Sequence, residues 1–357
     1  MIYLDNAATT KIDPEVFEKM LPYLTTEFGN PHSPHTFGRE AERAVEHARE
    51  QVASLVGADP EQIVFTHSAT DANHMVLDMF GRAIVSDMEH SSILHYDNAM
   101  ITTSNKPWVF AGNDPEFDLM SVMLVNNETG DVNDVKNIAD ICHGSGMVLH
   151  TDATAAAGSM QIDVKDLGVD FMTFSSHKMH GPKGVAALYV IDPDVAKDLP
   201  YTGTPNVPAI VGFGAACELA KERQVYCDEG FTTDCLYSLT ADDFLMRITR
   251  EIDGVTVNHR REGRFFKKIL NLRIDGVDGE TLVMMCAKRG LMISTGAACN
   301  SHEKVASHAL TALGLTSDQL FSSVRVSFSR NTSVQDFEEG ADILADCAKI
   351  LREAGRG

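Results

Sequence analysis

The chain has 357 residues, 44% of them apolar and 7% aromatic, which is ordinary for a globular protein and ample for more than one domain. A formal net charge of −21 disfavours nucleic acid as a partner, because a phosphate backbone requires a basic face. We attribute the acidic surface to solubility, with docking of a basic partner as the alternative.

The sequence also excludes several other classes of protein. No apolar run is long enough to span a membrane, and the first residues lack the pattern of a signal peptide. Seven cysteines without a CxxC pair argue against a disulfide framework and against a zinc or other metal site. We therefore expect a protein of the reducing cytoplasm.

Helices and short apolar strands alternate over the first two thirds of the chain. Asp13 and Pro14 predict a helix start, and apolar residues at helical spacing predict helices over Phe37–Leu55 and Asp134–His143. The predicted strands are Gln62–Thr66, Ala83–Asp87, Val122–Asn127, Met147–Asp152, Asp170–Phe174 and Val185–Ile191. This alternation indicates an α/β fold with a mostly parallel sheet.

The pattern changes after about Val225, where the sequence predicts a smaller α+β domain. Its predicted elements are a helix over Leu236–Ile252, a strand over Ile269–Ile274, a helix over Glu280–Arg289, a short strand, a strand over Val324–Phe328 and a closing helix over Val334–Glu353. We expect a large domain over residues 13–228, and a small domain formed by residues 1–12 and 229–357.

Four unusual polar stretches follow predicted strands, at the positions where open α/β sheets bind ligands. They are SATDAN after Gln62–Thr66, MEH after Ala83–Asp87, HTDAT after the strand that begins at Met147, and SSHKMHGPKG after Asp170–Phe174. Each has an ordinary structural explanation when it is taken singly. Together at one sheet edge, they indicate a binding site.

These stretches contain the parts of a pyridoxal phosphate site. A helix N-terminus at SATDAN suits an anion, and Asp152 suits a ring nitrogen that must stay protonated. Lys178 can form a Schiff base with a carbonyl cofactor. His90 can stack on a ring and move protons near neutral pH.

The sequence resembles the cysteine desulfurases of the class V aminotransferase group over essentially its whole length. The motifs that carry the resemblance are YLDNAATT, FGNPHSPHTFG, FTHSATDAN, EHSSIL, VNNETG, HTDAT, FSSHKMHGPKGVAALYV, STGAAC and SVRVSFSR. The resemblance implies the fold type I architecture of pyridoxal-phosphate enzymes, with a seven-stranded sheet of the mostly parallel type in the large domain.

The resemblance also implies a role for each candidate site residue. Lys178 would carry pyridoxal 5'-phosphate as a Schiff base, Asp152 would contact the pyridine nitrogen, and His90 would cover the ring. The other cofactor-binding residues would be Ala69, Thr70, Ser175 and His177, together with Thr204 reaching the phosphate of a neighbouring subunit. Asn127 and Arg325 would bind the carboxylate of L-cysteine.

Cys299 lies in the stretch STGAACNSHEK and would be the nucleophile. The resemblance implies that its thiolate attacks the substrate sulfur, leaving L-alanine and a persulfide that passes to an acceptor protein. The acceptor would be an iron–sulfur scaffold or a thiolation enzyme. The small residues around Cys299 suit a loop that must reach two destinations. A homodimer is expected, since Thr204 would act across an interface.

The chain departs from the family pattern at three places. Ala155 stands where the family usually has a glutamine that contacts the phenolic oxygen of the cofactor, and Ser68 replaces a usual glycine. About ten residues are missing before Thr204, and Tyr201 stands near the position of an expected arginine. These changes bear on substrate choice and on the rate of catalysis.

Two other interpretations remain open at this point. One is a different pyridoxal phosphate enzyme on the same frame, such as a selenocysteine lyase or a cystine lyase, which would keep Lys178 without a requirement for Cys299. The other is a weakly active scaffold or sulfur-relay protein. Retention of Lys178, Asp152, His90, Arg325 and Cys299 favours a working desulfurase. The remaining six cysteines are interpreted as structural.

Overall fold

A computed structural model describes residues 1–97, 99–102, 117–199, 201, 203–223, 234–260, 263–295 and 306–355. The chain divides into two compact units. The larger unit comprises Thr10–Val125 and Asn133–Thr233, and the smaller unit comprises Met1–Thr9, Asn126–Val132 and Asp234–Gly357. The assignment of residues 13–228 and of residues 1–12 with 229–357 to a large and a small functional domain stays a prediction.

The elements are numbered here in chain order. The strands are β1 Ile2–Tyr3, β2 Ile63–Thr66, β3 Ala83–Ser86, β4 Ala99–Thr102, β5 Leu119–Ser121, β6 Asp131–Val132, β7 Val148–Asp152, β8 Phe171–Ser175, β9 Ala186–Val190, β10 Val255–Val257, β11 Arg264–Phe265, β12 Ile269–Ile274, β13 Leu291–Met292 and β14 Ser323–Ser327. The helices are α1 Pro14–Thr25, α2 Thr36–Val56, α3 Ala69–Met79, α4 Ser91–Leu94, α5 Val135–Gly144, α6 Val164–Leu167, α7 Pro193–Asp198, α8 Val207–Glu222, α9 Asp234–Glu251, α10 Gly279–Lys288, α11 His308–Ala312, α12 Ser317–Phe321 and α13 Val334–Ala354.

The larger unit is built on a seven-stranded sheet in the order β2-β9-β8-β7-β5-β3-β4. Strand β9 runs antiparallel to both of its neighbours, β2 and β8, and the other pairs are parallel. The residues of β2, β3, β5, β8 and β9 are buried throughout, as expected for a sheet covered on both faces. The mostly parallel sheet predicted from the sequence is confirmed.

Helices α2 and α8 of the larger unit pack closely against each other. Helix α2 buries Ala41, Val45, Ala48 and Val52, and it ends at Gly57, whose φ of 72° is in the left-handed region. A Cβ atom added at Gly214 of α8 would lie 2.7 Å from the Cα atom of Ala48. Glycine at that position therefore permits the close approach of the two helices.

The strand predicted over Val122–Asn127 is wrong in its position. The strand is β5, which ends at Ser121, and the backbone N–H groups of Val122 and Leu124 continue to donate to the carbonyl oxygens of His150 and Asp152. The apolar residues after β5 therefore do lie beside β7, but their hydrogen bonds to β7 do not form a regular ladder. Strand β4 was not predicted at all, because its residues include no strong strand pattern.

The smaller unit has mixed α and β content. Strands β10, β12 and β14 form an antiparallel sheet, while β1 pairs in parallel with β13 and β6 pairs with β11. Helix α13 packs against α9 and α10. The predicted strand over Ile269–Ile274 has the observed bounds. No helix among the described residues of either unit is long and apolar enough to cross a lipid bilayer.

Candidate functional site

The four polar stretches all follow strands whose carboxyl ends meet at one edge of the seven-stranded sheet. Helix α3 begins at Ala69 after β2, His90 follows β3, Asp152 is the last residue of β7, and Ser175 is the last residue of β8. These four strands are mutually parallel, because β9 reverses direction between β2 and β8. The sheet therefore gathers these residues at one edge, as the sequence predicted.

The carboxylate of Asp152 is buried and both of its oxygens accept hydrogen bonds. Asp152 is 5% exposed, Asn73 Nδ2 of α3 donates to Oδ2 over 3.1 Å, and the backbone N–H of Thr154 donates to Oδ1 over 2.9 Å. A buried carboxylate requires such donors, because its transfer from water is costly when it is left without partners. The amide of Asn73 was not recognised from the sequence, although it lies within SATDAN.

His150 lies two residues before Asp152 and so shares a face of β7 with it. Its Nδ1 is 2.8 Å from Ser121 Oγ on β5, and its Nε2 is 3.1 Å from Thr173 Oγ1 on β8. Burial lowers the pKa of His150 to about 4. The imidazole is therefore neutral at physiological pH. It connects the adjacent strands β5, β7 and β8 through hydrogen bonds.

Lys178 lies in a 3₁₀ turn, Ser176–Lys178, that directly follows β8. The backbone N–H and the hydroxyl of Thr10 both donate to the carbonyl oxygen of His177 over 2.9 Å, and the N–H of His180 donates to the Thr10 hydroxyl over 2.8 Å. His180 has a φ of 68°, which reverses the chain after the lysine. Thr10 thus anchors the lysine turn, a role that sequence spacing did not reveal.

Burial, and then the positive charges of Lys178 and Lys183, lower the pKa of His177 to about 4. The residue next to the candidate Schiff-base lysine is therefore a neutral imidazole at physiological pH. Space after the turn is also restricted, since a Cβ atom at Gly181 would lie 2.0 Å from Ser176 Oγ. Glycine is required there for the chain to pass the turn.

A second buried carboxyl group, Glu89, lies between β3 and His90. Its Oε1 accepts a hydrogen bond of 2.8 Å from the backbone N–H of Met123. Complete burial, assisted by the charge of Asp152, raises the pKa of Glu89 well above its usual value. Burial thus favours the neutral form of Glu89, a residue of the MEH stretch that the sequence did not single out.

His90 is the N-cap of the short helix α4, and its Nδ1 accepts from the backbone N–H of Ser92. The other predicted anion-binding residues of this edge include Ala69 and Thr70. Ser68 caps α3 by accepting from the N–H of Asp71, so Ala69 and Thr70 form the first turn of that helix. Thr70 is exposed to solvent.

In the smaller unit, Arg325 is held in a defined orientation on β14. Its Nη1 donates to the carbonyl oxygen of Asn127 over 3.0 Å, and its Nη2 donates to Asp5 Oδ1 over 3.0 Å. The Arg325 side chain is 8% exposed, and its Nε has no partner among the described residues. The predicted pair of Arg325 and Asn127 is thus in direct contact, and Asp5 is an addition that the sequence did not indicate.

The remaining predicted positions have less structural context. Thr204 is exposed. The ring of Tyr201 contacts the ring of His67 at a tilt of 51°, with centroids 4.7 Å apart, and Tyr201 lies in the shortened segment before Thr204. Ala155 is partly buried, and the buried hydroxyl of Thr154 beside it has no partner among the described residues. Cys299 lies outside the described residues.

The chain belongs to the aminotransferase class-V family, which it matches over residues 2–202 and 195–339. This confirms the family resemblance drawn from the motifs. The fold agrees with the membership, since a chain called "NIFS-like protein" superposes with a TM-score of 0.84 at 24% identity, over 98% of this chain and 99% of that one.

Within the family, the chain is similar to cysteine desulfurases. It is 36% identical to cysteine desulfurase IscS of Methylobacillus flagellatus, over 99% of this chain and 93% of the relative. It also resembles a structure described as SspA in complex with cysteine, with a TM-score of 0.77 and 26% identity over 92% of this chain and 99% of that one. The alignment with IscS spans 387 positions, more than the 357 residues of this chain, so the relative carries segments that this chain lacks.

The neutral state of buried His150 predicts a loss of stability in mild acid. The unfolded chain takes up a proton at His150 near the usual pKa of 6.5, whereas the folded protein does so only near pH 4. Stability contributed by this site therefore falls as the pH falls through that interval, by about 2 kcal/mol between pH 7 and pH 5. We expect His150→Gln to lose less stability than the wild type over this range, as measured by urea unfolding at both pH values.

The matched control is His47→Gln, which changes an exposed histidine of α2 in the same way. We expect this variant to lose as much stability as the wild type between pH 7 and pH 5. Equal acid sensitivity of His150→Gln and the wild type would show that His150 does not remain neutral in the folded protein.

Proposed function

We propose that this protein is a pyridoxal-phosphate-dependent cysteine desulfurase, which converts L-cysteine into L-alanine and a persulfide on Cys299. The observation that carries the proposal is that Asp152 and Lys178 lie at, or just after, the carboxyl ends of the neighbouring strands β7 and β8, at the same edge of the sheet. Asp152 ends β7 with both carboxylate oxygens hydrogen-bonded, and the lysine turn begins immediately after the adjacent strand β8. The similarity to a cysteine desulfurase over nearly the whole chain selects this reaction among those of the family.

The residues at the sheet edge fit pyridoxal 5'-phosphate. Lys178 would hold the aldehyde carbon covalently, Asp152 would bind the ring nitrogen, and His90 would cover the ring. The phosphate would be held by Ala69 and Thr70, in the first turn of α3, and by Ser175 and His177. Two buried polar atoms without partners among the described residues, Asn73 Oδ1 and Thr154 Oγ1, support a polar ligand at this edge.

Each side chain then has a defined task. Bound pyridoxal phosphate supplies an electron sink, and Asp152 keeps the ring nitrogen protonated. Lys178 is the amine that moves the proton of the substrate. Arg325, fixed by Asn127 and Asp5, binds the substrate carboxylate, and its buried unpartnered Nε suits that ligand. The sulfur atom leaves the Cβ of L-cysteine and bonds to the Sγ of Cys299.

This chain lacks two features of the family pattern near the proposed site. Ala155 has no hydrogen-bonding atom to offer the phenolic oxygen of the cofactor, so Thr154 Oγ1 is the nearest side-chain hydroxyl along the chain. In the shortened segment that ends at Thr204, the ring of Tyr201 contacts the ring of His67. A selenocysteine or cystine lyase on the same frame is the second candidate, and these two departures are the observations that favour it.

A second copy of the chain is the first proposed partner. Phe17, Leu21 and Leu24 lie on one exposed face of α1, and the neighbouring rings of Phe28 and Phe37 are also exposed. Phe28 is 70% exposed, so this surface presents apolar side chains to solvent. A homodimer would cover it and would allow Thr204 to reach the phosphate site of the partner subunit.

The second proposed partner is a protein that accepts the sulfur, in iron–sulfur cluster assembly or in thiolation. The cytoplasm is the proposed location, because the persulfide and the free cysteines found buried among the described residues, Cys142, Cys217, Cys286 and Cys347, are compatible with a reducing compartment. Neither a nucleic acid nor a membrane is needed by the proposed reaction.

Cys299→Ala tests whether this thiol receives the sulfur. We expect the wild type to release L-alanine and, with a thiol reductant, sulfide from L-cysteine, and the variant to lose at least about 100-fold of both. The absorbance of bound cofactor should stay unchanged in the variant, because Lys178 is intact. Alanine quantified by mass spectrometry and sulfide measured colorimetrically provide the two readouts.

Cys142→Ala is the matched control, since Cys142 is a buried thiol of α5 whose pKa burial raises to about 12. It should retain full activity. Alanine release by Cys299→Ala at the wild-type rate would exclude the persulfide on Cys299 and favour the lyase candidate. Cofactor binding without any alanine from the wild type would contradict the desulfurase itself.

Arg325→Lys tests the carboxylate clamp. Lysine keeps the positive charge but loses the planar fork that binds a carboxylate in a bidentate manner. We expect KM for L-cysteine to rise by about 10- to 100-fold, with a smaller change in kcat, because charge-assisted hydrogen bonds of the substrate are lost. Steady-state kinetics measured by alanine release separate the two parameters.

Arg273→Lys is the control for that change, because Arg273 lies on neighbouring β12 and contacts Asp275 and Thr256 instead. Its KM should equal that of the wild type. An unchanged KM in Arg325→Lys would assign substrate binding to another residue.

A further inference from the structure

We propose that Ser92 and Asn73 are positioning residues that fix the tautomer of His90, so that its imidazole carries the proton on Nε2. His90 then offers an N–H donor at Nε2 and no lone pair at that atom, and the substrate proton is left to Lys178. The inference rests on the proposed function only for the identity of the group that His90 faces.

The first constraint is the backbone of the short helix α4. The N–H of Ser92 donates to Nδ1 of His90 over 3.2 Å, which makes His90 the N-cap of the helix. A backbone N–H can only donate, so Nδ1 must present a lone pair. A proton on Nδ1 would face this N–H directly.

The hydroxyl of Ser92 adds a second donor to the same nitrogen. Its Oγ lies 2.9 Å from Nδ1 of His90 and 3.0 Å from Nδ2 of Asn73. Since the Asn73 amide donates to this oxygen, the hydroxyl hydrogen remains available for His90. The Ser92 side chain therefore accepts from α3 and donates to the imidazole.

The carboxylate of Asp152 determines which groups donate and which accept in the hydrogen bonds that lead to His90. Nδ2 of Asn73 also donates to Asp152 Oδ2 over 3.1 Å. Turning the amide over would place Asn73 Oδ1 against a carboxylate oxygen, which cannot donate. The two amide hydrogens of Asn73 therefore point toward Asp152 and Ser92. Because Ser92 Oγ accepts one of them, the hydroxyl hydrogen of Ser92 points toward Nδ1 of His90.

The backbone around Ser92 is itself anchored. Nε2 of His74, the residue after Asn73 on α3, lies 3.0 Å from the carbonyl oxygen of Ser92. Ser92 is therefore connected to α3 through its side chain and through its carbonyl group. This attachment keeps the hydroxyl aligned with Nδ1.

The fixed tautomer restricts what His90 can do. A neutral imidazole protonated on Nε2 cannot take a further proton at that atom, and Nδ1 already accepts two hydrogen bonds. His90 is thus unsuited to act as the base, although the sequence alone had left proton transfer open between His90 and Lys178. We assign acceptance of the substrate proton to the amine of Lys178, in the lysine turn.

The direct test is the ¹⁵N spectrum of histidine-labelled holoenzyme at a pH near 8. The His90 signals, assigned by their loss in His90→Gln, should show an unprotonated Nδ1 and a protonated Nε2. In Ser92→Ala one of the two donors to Nδ1 is removed, so the population with a proton on Nδ1 should rise about fivefold. Ser92→Thr retains the hydroxyl and should restore the wild-type spectrum.

Ser91→Ala is the matched control, because Ser91 is the exposed neighbour in the same helix. It should leave the spectrum and the kinetics unchanged. Ser92→Ala should change kcat for alanine formation by less than about twofold, because the backbone N–H of residue 92 still holds the Nε2–H tautomer as the major one and His90 is not the base.

A wild-type spectrum with the proton on Nδ1, or a Ser92→Ala spectrum identical to that of the wild type, would overturn the assignment. The two proposals can fail separately. Wild-type protein that forms no alanine but shows the proton of His90 on Nε2 would contradict the desulfurase and support the tautomer.

Discussion

The burial of the Asp152 carboxylate is the constraint on which the rest of the site depends. A carboxylate at the end of an internal strand must find donors, and here it takes them from the backbone after β7 and from Asn73 of α3. That requirement fixes the rotation of α3 and the orientation of its amide. Through Ser92, it also fixes α4 and the imidazole at its N-terminus.

Burial at the same edge of the sheet favours the neutral forms of three other titratable groups. His150 and His177 have pKa values lowered to about 4, while Glu89 has a pKa raised well above its usual value. Asp152 and Lys178 therefore lie among side chains whose burial favours the neutral form. Such a site suits a cofactor that needs one anionic partner at its ring nitrogen and one amine at its aldehyde.

The parts of the fold that the sequence predicted are those encoded by local pattern. The strands that end at Thr66 and Asp152 were predicted from apolar runs bounded by polar turns, and the start of α1 from its capping residues. The shifted strand before Asn127 failed because an apolar run shows burial but not which of its residues form a regular ladder.

The hydrogen-bonded partners within the site could not be predicted in the same way. Asn73 and Ser92 are 19 residues apart, and their contact depends on how α3 packs against α4. Thr10 anchors the lysine turn from 167 residues away. Asn126–Val132 joins the smaller unit although the neighbouring residues belong to the larger one, because the strand β6 pairs with β11. Such long-range contacts leave no periodic pattern in the sequence.

The most direct test of the account is to identify the lysine that holds the cofactor. Purified protein would be reduced with sodium borohydride, which makes a Schiff base permanent, and its peptides would be analysed by mass spectrometry. The account predicts a yellow protein and a pyridoxyl-phosphate adduct on Lys178. An adduct on Lys183 instead, or a colourless protein that acquires no adduct in excess pyridoxal phosphate, would contradict it.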